Sequence, residues 1–203
     1  MQFRVQNLTV HKFGGASVKD ADAVRNVESI LQKCLVSPAV VVVSAMGKTT
    51  NKLEQVFSTL VSDGFDKSLE ELNEIVVAHQ KVIDALSIEL DLRELFVTAL
   101  KNSSQLDDIN AAYDELVASG EDASTKILFA YLDSNSWDVE WRDVRDIIET
   151  DERHNSARVD ESRLDAMGLN LRGALSESSR RIIVTQGFIG KRPSGRTTTL
   201  GRE

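Results

Sequence analysis

The sequence predicts an α/β fold with a parallel sheet and an inserted layer of helices. Two runs, Ala39-Val40-Val41-Val42-Val43 and Arg181-Ile182-Ile183-Val184-Thr185, are apolar without polar alternation, which suits strands covered on both faces. An amphipathic stretch precedes the first run, in the β-α-β order whose crossover is right-handed. From about Leu69 to Leu132 the chain reads as almost entirely helical, and helices inside an α/β pattern fit an added layer better than a new domain.

The elements follow in order. Leu8 to Phe13 alternates and ends in Gly14-Gly15, a strand entering a glycine turn. Asp20 is placed to cap a helix whose apolar face is Val24, Val27, Ile30, Leu31 and Cys34, broken at Ser37-Pro38. After Val43 comes the loop Ser44 to Asn51. Leu53, Val56, Phe57, Leu60 and Val61 then mark a helix beginning near Lys52 and stopping near Gly64. Three helical stripes follow, the third interrupted at Ser119-Gly120 and resuming through Ile127, Leu128 and Tyr131. Trp137 to Trp141 alternates as a strand, and Asp151 to Asp160 is a polar loop or edge. The last stretch, Gly190 to Leu200, reads as a turn with two cations followed by a Thr-rich strand.

Composition narrows the function classes. The 203 residues include 24 Lys+Arg and 32 Asp+Glu, a net charge of -8, with 41% hydrophobic residues. That is too apolar for a disordered chain. An acidic balance argues against nucleic-acid binding, which needs clustered cations. No stretch approaches the ~18 uninterrupted apolar residues of a membrane span, and no signal peptide is evident. The single cysteine, Cys34, excludes an internal disulfide and fits a reducing, cytoplasmic compartment.

Four segments carry candidate chemistry. Lys12-Phe13-Gly14-Gly15-Ala16-Ser17 places a cation and two glycines at a strand end. Glycine lets backbone N–H groups approach an anion, and the following helix start favours a phosphate. A tight turn with a solvated lysine is an equal reading. The pattern is neither a P-loop nor a dinucleotide fingerprint. Ser44 to Asn51 offers hydroxyls at a second strand end, where open α/β sheets bind ligands; Thr50 or Asn51 could equally cap a helix. Ser119-Gly120-Glu121 is either a helix break with an exposed Glu or a carboxylate presented at a helix start to an amine. Thr197 to Arg202 is either a hairpin strand with a solvated Arg or an Arg fork for a carboxylate or phosphate. The histidines have no partner at metal-ligand spacing, and His79 falls on an apolar stripe.

Together these segments, with Thr150-Asp151, Ala157-Arg158-Val159-Asp160 and Gln186-Gly187-Phe188-Ile189-Gly190, resemble the aspartokinases of the amino-acid kinase superfamily, in order and over essentially the whole chain. The resemblance implies a three-layer α/β/α sandwich, incomplete here. It implies transfer of the γ-phosphoryl group of ATP, with Mg²⁺, to the β-carboxylate of L-aspartate, the first step towards lysine, threonine and methionine. Lys12 would be the phosphate-stabilising catalytic lysine, its ammonium buried beside the backbone cradle of Gly14 and Gly15. Ser44 and Thr50 would be substrate hydroxyls, Glu121 would hold the aspartate amino group, and Arg202 a substrate carboxylate. No residue is assigned to a metal. Aspartate and ATP are the expected partners, without nucleic acid or membrane, in a homo-oligomer.

Two departures matter. Ala16 stands where the family usually has Thr or Ser, and Glu203 stands where it usually continues Gly-Gly-Ser-Asp. Residues 1–203 are thus expected to be an amino-terminal, substrate-binding portion, without the nucleotide segment and ACT domains, and inactive alone. Its unpaired strand edges would favour dimers or marginal stability. Another amino-acid kinase, for glutamate or carbamate, and a non-catalytic aspartate-binding or assembly module are the alternatives.

Overall fold

The computed structural model describes residues 8–35, 38–163, 165–169 and 182–201. Strand β1 (Thr9–Phe13) runs into a 3₁₀ turn (Gly15–Val18) and helix α1 (Ala21–Cys34), then β2 (Ala39–Val43). Four helices follow: α2 (Thr49–Asp63), α3 (Phe65–Leu86), α4 (Arg93–Ser104) and α5 (Ile109–Ser134). β3 (Val139–Trp141), β4 (Ile182–Gln186), and the pair β5 (Ile189–Lys191) and β6 (Thr197–Thr199) complete the chain order. The main sheet has the order β1-β2-β4-β3, all parallel, and β5-β6 is a separate antiparallel hairpin.

Local chemistry explains the boundaries. The Asp20 side chain accepts from the Ala23 N–H at 2.8 Å, capping α1 as its position suggests. α2 ends at Gly64, whose φ of +90° suits glycine. β4 is buried at every position, as its unbroken apolar run requires. The helical stretch expected over 69–132 begins slightly earlier, at Phe65, and ends at Ser134.

The register separates the two sheet faces. Phe13, Val41, Val43, Val139, Ile182 and Val184 point to one side, where they share a single core with side chains from all five helices. On the other side Val40 and Ile183 are buried with only Leu8 and Val42 packed on them, and Val10 is 62% exposed. Helices α1 to α5 thus share one face of the parallel sheet. The helical stretch is a layer on the sheet, with no core of its own. Glu28 of α1 ties that layer together by accepting from Tyr131 Oη at 2.8 Å and Trp137 Nε1 at 2.9 Å.

His79 lies inside this layer, 2% exposed, edge-on to Phe96. Burial pushes its imidazole below the ordinary 6.5, against the Ile75 carbonyl, which favours the charged form. The unfolded chain therefore takes up a proton that the folded one resists, so this part of the stability is present above 6.5 and is lost as pH falls below it. Urea midpoints should drop across that window, and His79→Leu should flatten the profile. An unchanged profile would remove His79 as the cause.

Candidate functional site

The candidate site forms where the loops after β1, β2 and β4 meet α5 at the carboxyl ends of the strands. Ser44 N–H donates to Phe13 O at 3.1 Å, Gly47 N–H to Gly15 O at 2.9 Å, and Gly187 N–H to Val43 O at 2.9 Å. These bonds fasten the three loops side by side. Gly15 sits so close to its neighbour that a Cβ would lie 2.4 Å from Ala45 O. Gly14 has open space around it, with nothing within 4 Å of a Cβ. The two glycines therefore do different things: Gly15 permits loop contact, and Gly14 leaves backbone accessible. Gly15→Ala should force the loops apart and cost on the order of 1–3 kcal/mol by overpacking, whereas Gly14→Ala should be nearly silent; equal denaturation midpoints for the two variants would contradict this.

Glu121 supplies the site's buried charge. It is 2% exposed, and its Oε1 accepts from the Ala45 N–H at 3.1 Å. The expected interruption at Ser119-Gly120 does not occur. α5 runs unbroken through it, and Glu121 lies in mid-helix rather than at a helix start. Packing explains why: a Cβ on Gly120 would come within 3.1 Å of Ala45 Cβ and Leu53 Cδ1. Here glycine serves close approach of α5 to the loop, and that contact outweighs its poor helix propensity. Ser124, one turn on, donates to Ser44 O at 2.8 Å and fixes the same loop.

Ser44 and Thr50 are both half-buried, and Ser44 adjoins this contact through its carbonyl. Neither Thr50 nor Asn51 caps α2, as one reading of the sequence allowed. The helix starts at Thr49, and Thr49 Oγ1 closes the turn by donating to Met46 O at 2.6 Å. The physical reason is that this inward hydroxyl, 6% exposed, nucleates the helix earlier than the apolar pattern shows.

Lys12 requires a correction. Its ammonium was expected to be buried, but Lys12 is exposed and has no ion-pair partner among the described residues. It alternates with Phe13 on β1, an edge strand, so it projects to the thinly covered face with Val10. α5, which carries Glu121, packs on the opposite face. The strand tip thus lies between cation and carboxylate. Ala16 is exposed too, so its missing hydroxyl belongs to an accessible position. Arg202 falls outside the described residues.

Two polar networks around the site escaped the sequence reading. Asp122, next to Glu121, accepts from Gln186 Nε2 at 2.6 Å and Arg145 Nη2 at 2.8 Å. Gln186 Oε1 accepts from the Val144 N–H at 2.8 Å, and Arg145 also pairs with Asp143. Burial holds the Asp122 carboxyl above the ordinary range, with Arg145 opposing it. The second network centres on Asp114 of α5, fully buried, which accepts from Thr199 Oγ1 at 2.5 Å, His154 Nδ1 at 2.6 Å and the Asn155 N–H. Arg192 donates to His154 Nε2 at 2.8 Å. No local spacing signals these acids, because their partners lie 23 to 85 residues away.

The fold and the loop cluster at its strand tips define a class: the Amino acid kinase family profile matches residues 7–202, and the chain belongs to that family. Within it, the chain is 32% identical to Lysine-sensitive aspartokinase 3 of Escherichia coli (strain K12) over 98% of its own length and 44% of the relative's. It is 34% identical to Aspartokinase 2, chloroplastic, of Arabidopsis thaliana over 95% of its length and 37% of that protein's. It superimposes with a TM-score of 0.81 on the crystal structure of E. coli aspartokinase III in complex with aspartate and ADP, at 32% identity, covering 97% of this chain and 44% of that one. The chain therefore spans less than half the length of these relatives. No helix among the described residues is long and apolar enough to cross a membrane.

Proposed function

We propose that this chain forms the amino-acid-binding part of an aspartate kinase, which transfers the γ-phosphoryl group of ATP to the β-carboxylate of L-aspartate. The observation that carries the reading is Glu121: a buried carboxylate fastened to the β2 loop next to the half-buried Ser44, in a chain similar to aspartokinases over nearly all its length. A zwitterionic substrate needs a fixed anion for its amino group and a fixed cation for a carboxylate; Glu121 is proposed for the first and Arg202 for the second. Ser44 and Thr50 offer hydroxyls to the same substrate.

The aspartate β-carboxylate, with a pKa of about 4, is already ionised at neutral pH, so no general base is needed. What remains is positioning and stabilisation of charge on the phosphoryl oxygens. Gly14 fits a phosphate because its backbone is open, and Lys12 fits because it is exposed and has no ion-pair partner among the described residues. The described residues contain no group of three or more His, Cys, Asp or Glu that could hold a metal. Mg²⁺ suits such a site as a passenger on ATP, since it is typically bound through phosphates and one or two carboxylates. It would neutralise phosphate charge there.

Calorimetry separates the readings. This chain should bind L-aspartate in preference to L-glutamate, and Mg-ATP weakly or not at all. In the longest form of the protein that its gene encodes, aspartate and ATP should yield an acyl phosphate, trapped as the hydroxamate. Lys12→Ala should reduce kcat there by about 10²-fold or more, as loss of one preorganised charge stabiliser does, with the melting curve unchanged. Full turnover by that variant would remove Lys12 from the reaction, and a glutamate preference would replace aspartate as substrate.

A further inference from the structure

Glu121 belongs to a closed ring of hydrogen bonds among α5, the β2 loop and the tip of β4. α5 meets the β2 loop along one line. Glu121 Oε1 accepts from the Ala45 N–H at 3.1 Å, Ser124 Oγ donates to Ser44 O at 2.8 Å, and Gly120 lets Ala45 and Leu53 approach. At about 100° per residue, positions 120, 121 and 124 share one face of the helix. A helix held along a single line can still roll about it. Apolar packing resists separation but is non-directional, so it leaves small rolls open.

Asp122 makes the second line, about 100° further round α5 than Glu121. Its Oδ1 accepts from Gln186 Nε2 at 2.6 Å and from Arg145 Nη2 at 2.8 Å. Gln186 ends β4 and is buried. Its Oε1 accepts from the Val144 N–H at 2.8 Å, which fixes the amide with its NH₂ towards Asp122. The next residue, Gly187, donates its N–H to Val43 O at the base of the β2 loop, and this closes the ring. Hydrogen bonds of this length are directional, so the Asp122 link fixes the roll that the first line leaves free. Arg145, which also pairs with Asp143, supplies a compensating charge. Asp122 itself opens to a groove between α4 and α5 that neither Glu121 nor Ser44 lines.

We propose that Asp122 is a positioning residue for substrate binding: through Gln186 it sets how α5 is turned against the β4 tip, and so where the Glu121 carboxylate points. This rests on the reading of Glu121 as the anchor of the aspartate amino group. A displacement of about 1 Å at a binding group, caused from a distance, can cost up to about 10²-fold. Asp122 acts through Glu121 and does not touch the substrate.

Reversing the polarity of the link tests it. In Gln186→Glu two carboxylates oppose each other and the link opens, while the Val144 N–H keeps an acceptor. In Asp122→Asn/Gln186→Glu amide and carboxylate have changed places, so donor and acceptor match again. Calorimetry on the 203-residue chain should show L-aspartate bound about tenfold or more weakly by the single variant. The double variant should return to within about threefold. In the longest form that the gene encodes, the single variant should raise the KM for aspartate and leave that for ATP unchanged, a separation that general loosening of the fold would not produce. The Ala45 amide reports on Glu121 without any ligand: its hydrogen exchange should speed up by about tenfold or more in the single variant and recover in the double one. Ala45 protection or aspartate affinity unchanged in the single variant would overturn the proposal, as would a double variant no better than the single. If Ala45 responds as expected and the unaltered chain binds no aspartate, the aspartate reading falls and the placement of Glu121 by Asp122 stands. Should Gln186→Glu not fold, Asp122→Ala removes the same link, with Arg145 still paired to Asp143, and the same readings of Ala45 and aspartate decide.

Discussion

Glu121→Gln is expected to lower the affinity for L-aspartate by about 10- to 100-fold while leaving the fold intact, since a hydrogen bond to a charged group contributes about 1.5–3 kcal/mol. The amide is isosteric and still offers an oxygen to the Ala45 N–H, which Glu121 now accepts at 3.1 Å. What it removes is the negative charge proposed to hold the substrate amino group. Glu121→Ala removes both. It leaves the Ala45 N–H without its acceptor in a buried place, at a cost of about 1–3 kcal/mol, and opens a void beneath the loop. The pair of variants separates binding from structure: the Gln variant should melt like the unaltered chain and bind poorly, while the Ala variant should do both badly. Aspartate affinity unchanged in the Gln variant would take the amino-group role away from Glu121.

Asp114→Ala should be the most destabilising single change outside the apolar core. Asp114 is fully buried and accepts from a threonine hydroxyl on β6, an imidazole N–H and a backbone N–H in the 151–158 loop. Truncation strands all three donors. Removing one partner of a buried polar cluster typically costs about 3–5 kcal/mol, or a fall of roughly 10 °C in melting temperature at this chain length. The loss should come with exposure of the β5-β6 hairpin to hydrogen exchange, because Asp114 supplies the polar attachment of that hairpin and the loop to α5, beside the apolar contact of Ala118 with Ile189. Asp114→Asn keeps one acceptor oxygen and should lose less. A loss below about 1 kcal/mol in the Ala variant would mean that water satisfies the donors equally well.

Asp114 also shows why some of the site was invisible in the sequence. In the one-dimensional pattern it is an ordinary polar residue on a helix. Only the folded chain brings Thr199, 85 residues away, to its carboxylate. Asp122 is the same case, since neither its link to Gln186 nor that to Arg145 follows any local spacing. By contrast, Asp20 was legible as a cap because capping is decided within three residues. The buried strand runs were legible too, because a strand covered on both faces must be apolar throughout. Gly120 was legible as unusual and misleading in its consequence. Local propensity favours a helix break there, and the missing Cβ instead admits Ala45 and Leu53.

By itself the sequence determined the α/β class, the order of the main-sheet strands and the helices, the glycine turn after β1 and the ordered motifs that mark the family, while β5 (Ile189–Lys191) falls partly where it suggests a turn. Each of these rests on periodicity or on residues adjacent in the chain. Tertiary structure alone decided that Lys12 faces the open side of the sheet and Glu121 the helical side, that Gly15 packs while Gly14 stays open, and which distant donors meet each buried acid. Those outcomes depend on which strand forms the edge of the sheet and how closely α5 approaches the β2 loop, and both are settled by packing between segments far apart in the chain.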